Sequence, residues 1–339
     1  SDLFWNEQFG YCFNGGYSGN SKSGAFALLD AHLDYKVNGD SLIQFRIGQF
    51  KTPFLKEAMM SSGRLFFIDN SLLYHKTRAL NERDVGLMVH GVYGLISSNQ
   101  SVGYALGVFD GRGLNATYPG AKGGFDPASA FSGKTISERE LLFAGRAFLY
   151  IGQNESRMIS HEGFPTRGIQ KQNIGMELEF GVCVAMVKGT EGDTANLRAP
   201  DASVNPLAPE SPFNRAITAD VTARLFDCVE AQMEYIVKAT LGDGDATVQN
   251  ASYDGLKVQA TYDISQTYGA VGAGAAFFNP DSRIDNNSIR EFRIGWLKYI
   301  GGLGHANKVS VSITETQTEK TADQTEVEHK ISVQWQANF

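Results

Sequence analysis

The sequence has no run of eighteen apolar residues, so no segment reads as a transmembrane helix. It has little cysteine. Cys12, Cys183 and Cys228 lie far apart without a Cys-x-x-Cys spacing, which argues against zinc or haem attachment and leaves isolated thiols, with one disulfide at most. Positive charge is also scarce: a formal net charge of −7 argues against a nucleic-acid partner. No helical periodicity of useful length is present. No nucleophile-elbow motif or other catalytic signature occurs, so neither an enzyme nor a cofactor is expected. The opening Ser1-Asp2-Leu3-Phe4 does not read as a signal peptide, so any such segment is expected to have been removed.

What is present is alternation. From Ala25 to Val37, Leu29, Ala31, Leu33, Tyr35 and Val37 share one face, and Asp30, His32, Asp34 and Lys36 the other. The pattern recurs at Glu7–Phe13, Leu42–Thr52, from Arg83, at Val102–Phe109, Leu141–Ile151, Ile174–Met186, Ile217–Phe226, Val229–Ala239, Tyr253–Asp263, Tyr268–Phe278, Ile289–Ile300, Lys308–Thr316 and Val327–Phe339. This predicts about fourteen strands of roughly ten residues, the length a tilted membrane strand needs. None of the nine prolines falls inside one, although Pro53 caps one. A barrel alternates lipid-facing and lumen-facing residues, so its mean hydropathy cancels and a polar average does not exclude it. The expected fold is an all-β, antiparallel transmembrane β-barrel occupying residues 1–339 as one domain. Trp296 and Trp335, toward strand ends, are expected in an aromatic girdle.

Connector lengths support two-sidedness. Links at Asn38–Ser41, Gly94–Ser101, Asp227–Cys228 and Ile264–Thr267 are short; those at Pro53–Glu82, Asp110–Glu138 and Lys188–Arg215 are long and polar. Short periplasmic turns and long external loops have this arrangement. Gly152–Gln172 falls on the short side and breaks it. Asn14–Gly24, rich in Gly, Ser and Asn, is expected to be a loop. The chain is organised around Leu42–Tyr93: a strand, an excursion too long for a hairpin turn, and a returning strand. The excursion, residues 53–82, is expected to fold into the barrel and narrow its pore.

Three ordered stretches carry a family resemblance. They are Gly48-Gln49-Phe50-Lys51-Thr52-Pro53-Phe54; Arg83-Asp84-Val85-Gly86 with His90-Gly91; and Tyr104-Ala105-Leu106-Gly107-Val108-Phe109-Asp110-Gly111. The set resembles the phosphate-selective porin O and P family, and the final strand ending in Phe339 looks like an outer-membrane assembly signal. The resemblance implies a sixteen-stranded, homotrimeric channel of the bacterial outer membrane, surrounded by its lipid, whose third external loop enters the lumen. Pro53–Glu82 matches that loop by position. The count then stands two strands short, which leaves two readings: two N-terminal strands absent from this sequence, or a fourteen-stranded variant.

Between Lys51 and Asp84, six basic residues (Lys51, Lys56, Arg64, Lys76, Arg78, Arg83) face four acidic ones (Glu57, Asp69, Glu82, Asp84), a local balance of +2. This predicts a passive channel for small hydrophilic solutes with a weak anion preference, phosphate or other oxyanions among them. Arginine suits phosphate because its planar fork donates two parallel hydrogen bonds. Arg46, Lys56, Arg64, Lys76, Arg78, Arg83 and Arg146 are the candidate pore-lining and constriction residues. The plainer alternative is that the loop charges pair and hold the loop's shape. The remaining strand charges are nearly balanced and predict no wall-wide positive field. His32 and His90 are expected to be ordinary lumen residues; on separate strands they make no metal signature. Two other functions stay open: a docking sleeve filled by a partner such as a redox carrier, and a barrel hydrolase.

Overall fold

The structure, a computed structural model, describes residues 3–4, 8–18, 25–37, 42–60, 65–77, 83–94, 100–110, 141–152, 176–188, 213–226, 228–241, 251–265, 268–279, 287–300, 307–321 and 324–337. Alternating side chains form strands wherever the sequence places them. In chain order these are β1 (Leu3–Phe4), β2 (Phe9–Ser18), β3 (Ala25–Lys36), β4 (Gln44–Lys51), β5 (Arg83–Gly94), β6 (Gln100–Phe109), β7 (Leu142–Ile151) and β8 (Met176–Lys188). They continue as β9 (Phe213–Leu225), β10 (Val229–Leu241), β11 (Ala251–Ser265), β12 (Gly269–Asn279), β13 (Ile289–Tyr299), β14 (Asn307–Thr321) and β15 (Gln324–Ala337). Every strand pairs antiparallel with its sequence neighbours, in one sheet of order β1 to β15.

β2 to β15 are the fourteen strands read from the sequence; β1 is a two-residue addition. Among the described residues no ladder joins β15 back to β1 or β2. In an antiparallel meander β1 and β15 run the same way, so those two edges cannot meet as an antiparallel pair. One loop expectation is corrected. β2 continues through Gly15 and Gly16 to Ser18, with a register irregularity between Asn14 and Gly15. The Gly-rich composition marks that irregularity rather than the end of the strand.

The two faces separate as the alternation requires. Phe45, Ile47, Leu87, Leu106, Phe143, Val182, Ile217, Phe292, Ile294 and Ile313 are exposed on one face, while Gln44, Asp84, His90, Thr218, Asp220 and Glu291 are buried on the other. This inverts a water-soluble fold, because hydrocarbon is the outer solvent. His32 and His90 are buried with the inward set. Among the described residues, Cys12, Cys183 and Cys228 form no disulfide. One end carries an aromatic rim: Phe9 packs on Tyr35 with centroids 4.9 Å apart, and the Trp296 indole donates to the Tyr268 carbonyl at 2.7 Å. Phe226, Tyr262 and Trp335 are exposed toward the same end. That end has the short links 226–228 and 266–268; the opposite end has 52–82, 110–141 and 189–212, and also the tight link 322–323. The connector 153–175 lies outside the described residues.

The excursion after β4 contains two short helices, α1 (Lys56–Met59) and α2 (Leu72–Thr77). Neither is long enough to show a helical period in sequence. Both are wrapped by the sheet. Phe54, Leu55, Met59, Leu72 and Leu73 join a single apolar cluster with Phe50, Met88, Phe109, Leu142, Ile236, Phe278 and Ile289, which come from strands as distant as β4 and β13. Only a sheet rolled around the segment can supply those partners together.

Candidate functional site: the lumen and its inserted segment

The inserted segment is fastened to the wall by reciprocal charges. Lys56 of α1 places its ammonium 2.9 Å from Glu179 on β8 and 3.7 Å from Asp220 on β9. Its neighbour Glu57 has the opposite charge and finds Lys257 of β11 at 3.0 Å. All of these side chains are buried or nearly so. Glu57 also accepts from the Ser71 amide at 2.9 Å and from the Ser71 hydroxyl, which ties α1 to the approach to α2. Burial alone would raise the Glu57 carboxyl; the Lys257 and Arg293 cations and the Ser71 hydrogen bonds outweigh it and hold the pKa at about 2, against an ordinary 4.5.

Two wall carboxylates meet the otherwise unsatisfied amides at the helix starts. The Lys56 amide donates to Glu234 of β10 at 2.5 Å, and the Leu72 amide donates to Glu291 of β13 at 3.0 Å. Further along, Arg293 donates to the Asp69 carbonyl at 3.0 Å and stacks 4.4 Å above the Phe67 ring. Lys308 of β14, buried, donates to the Leu65 carbonyl at 3.1 Å. Lys330 of β15 reaches the Asp69 carboxylate at 2.7 Å. Shape follows charge: a Cβ on Gly255 would lie 2.3 Å from Leu73, and one on Gly272 would lie 2.5 Å from Phe66. The wall leaves space where the segment leans on it.

The candidate residues fall into separate groups. Arg146 is buried on β7 and grips Asp220 with both terminal nitrogens, at 2.5 and 2.9 Å, and Glu179 at 2.8 Å. It therefore shares its carboxylates with Lys56, and the four charges cancel. Arg46 and Arg83 lie on the other side of the sheet's run, each forked onto a β3 carboxylate: Arg46 on Asp34 at 2.7 and 3.0 Å, Arg83 on Asp30 at 2.7 and 3.1 Å. Lys76 is half-buried on α2. Arg64 and Arg78 lie outside the described residues. The expectation that loop charges pair with one another meets a different geometry, in which Lys56 and Glu57 pair with the wall.

The fastening role of Glu179, Asp220, Glu234 and Glu291 is not read from the sequence, where the strand charges count only as a nearly balanced set. One signal was available. Asp220 and Glu234 are direct cross-strand partners, and like charges opposite each other need cations or donors from elsewhere. Lys257, the other partner of Glu234, supplies part of this; the inserted segment and Arg146 supply the rest.

With this geometry in place, relationships to known proteins are informative. The family described as phosphate-selective porin O and P matches residues 4–136. The protein is a porin-type β-barrel of the bacterial outer membrane. The match covers the three motif stretches on which the resemblance rested. No curated protein matches the chain in sequence. Among solved structures, the anion-selective porin from Comamonas acidovorans superposes with a TM-score of 0.57 at 10% identity, over 97% of this chain and 80% of that one. The outer-membrane channel DcaP of Acinetobacter baumannii gives 0.52 at 12% identity, over 96% and 79%. The trimer form of Vibrio cholerae OmpT gives 0.50 at 13% identity, over 98% and 85%. At these identities the likeness is one of fold.

Proposed function

We propose that this porin-type barrel is a passive diffusion channel for small hydrophilic solutes, with a mild preference for anions such as phosphate and other oxyanions. It is no enzyme: solutes follow their gradient and no bond is made or broken. The observation that carries the reading is the sidedness of the sheet, apolar outward and polar inward, around a segment held inside it. Residues 1–339 act as one barrel domain, and residues 53–82 form its constriction. The family description and the anion-selective porin of like fold support the sign of the preference. Its mildness follows from the pairing of Lys56, Arg146, Arg46 and Arg83 with carboxylates, since neutralised charges set up a weak field. Arg46, Lys76 and Arg83 then line the passage, while Lys56 and Arg146 hold the segment beside it; Arg64 and Arg78 are assigned to the constriction from sequence. Assembly as a homotrimer is supported by the trimeric form of OmpT.

The deciding experiment is a planar-bilayer recording of the purified protein under a salt gradient, with and without phosphate. Steady current with a reversal potential on the anion side is the expected result. Absence of steady current would mean a filled or inert barrel, and cation selectivity would defeat the anion assignment. Unchanged selectivity in Arg64→Ala and Arg78→Ala would remove those two residues from the account.

A further inference from the structure

The ion pairs that join the inserted segment to the wall are of two kinds. Lys56–Glu179 and Glu57–Lys257 are closed off from water. Asp69–Lys330 is as short, at 2.7 Å, yet the two side chains are 46% and 56% exposed. It links the segment to the last strand of the sheet, far along the run from the strands that bury α1. Asp69 is held in place from behind, because its backbone carbonyl accepts from Arg293 while its carboxylate points to Lys330. Lys330 sits on the inward face of β15, since its neighbours Ile331, Val333 and Trp335 alternate outward.

We propose that Asp69 and Lys330 form the solute-contacting pair of the passage and that Lys330 determines its ion preference. The inference rests on the channel reading above. An exposed pair in high dielectric is held weakly, so an entering anion can draw Lys330 away from Asp69 at little cost. Several other described cations of the segment and its neighbourhood are less available: Lys51 is half-buried and donates to the Met60 carbonyl, and Lys76 is half-buried on α2. Lys56 and Arg146 are buried among carboxylates, Lys308 is buried against a backbone carbonyl, and the Arg46 and Arg83 side chains are only 16% and 17% exposed. Asp69 opposes the effect: it competes with the solute for Lys330 and repels anions itself. The observed pair is the resting arrangement, and the anion-bound arrangement exchanges one acceptor on Lys330 for another.

The test is the anion-to-cation permeability ratio in planar bilayers, measured in potassium chloride and again with potassium phosphate, for the wild type, Lys330→Gln and Asp69→Asn. Lys330→Gln should lower the ratio about twofold or more, and Asp69→Asn should raise it by a similar factor, as expected for a charge in contact with permeating ions. An unchanged ratio in both single variants, or a shift of the same sign in both, would overturn the proposal. If the wild type passes no steady current, the channel reading itself fails; a conducting wild type with unmoved variants sinks only the role of this pair. Should Lys330→Gln fail to assemble, Asp69→Asn decides the question alone, because its side chain lies on the inserted segment and outside the buried network.

Discussion

Glu57 and Lys257 meet 3.0 Å apart, with 3% of each side chain exposed, and join the inserted segment to β11 on the inner wall. Removing Glu57 takes away one of the two carboxylates that face Lys257, the other being Glu234, and loss of one partner of a buried pair costs up to about 3–5 kcal/mol. Glu57→Gln should therefore release α1 from the wall. The expected outcome is noisier single-channel current and a lower urea midpoint for the barrel refolded in lipid. Equal noise and an equal midpoint would show that the pair holds nothing.

The same carboxyl makes the docking sensitive to acid. Its pKa is about 2 in the folded protein and 4.5 when unconstrained. A depressed carboxyl stabilises fully above the unfolded value and loses that contribution as pH falls through the folded one. The Glu57 contribution to docking should thus be constant from neutral pH down to about 5 and weaken between about 4.5 and 2. Channel noise recorded across this range should rise in the wild type. It should be high already at neutral pH in Glu57→Gln and change less with acid.

Arg146 neutralises Asp220 and Glu179 together. Arg146→Gln keeps much of the volume but leaves Lys56 as the remaining cation among these carboxylates. The variant should shift the reversal potential toward cations and lose about 3–5 kcal/mol of stability. A shift toward anions would contradict the assignment of Asp220 and Glu179 to the lumen.

Ile294 is 58% exposed at the middle of β13 and faces outward. Arginine there should destabilise the barrel by about 2–4 kcal/mol in lipid, the cost of a charge near the hydrocarbon midplane. Urea titration of the refolded protein measures it. No loss would mean that this face does not meet hydrocarbon.

Gly255 leaves room for Leu73. Gly255→Val would overfill the contact, with a cost of about 1–3 kcal/mol typical of forced packing. Conductance should change as well, because α2 must move; a stability loss without any change in conductance would separate α2 from the passage.

Much of this was legible in the chain. Period-two alternation identified β2 to β15, and it also identified which side of each strand meets lipid, because the direction of a strand side chain depends only on its position in the alternation. The position of the 53–82 excursion and the motif stretches around it were readable for the same local reason. Other features were not. The strand residues Gly15 and Gly16 looked like loop because composition cannot distinguish a bulged strand from a turn. The helices α1 and α2 are too short to leave a period.

The strand count, the two faces and a segment with nowhere to go but inward or away all follow from the pattern of residues along the chain. What that segment touches is set by the folding of the sheet around it. Lys56 meets Glu179, Glu57 meets Lys257, and Asp69 meets Lys330, across gaps of more than a hundred residues in the chain. Alternation is a property of neighbours along the chain, whereas the partner of a lumen charge depends on how far the sheet rolls, and no local pattern encodes that.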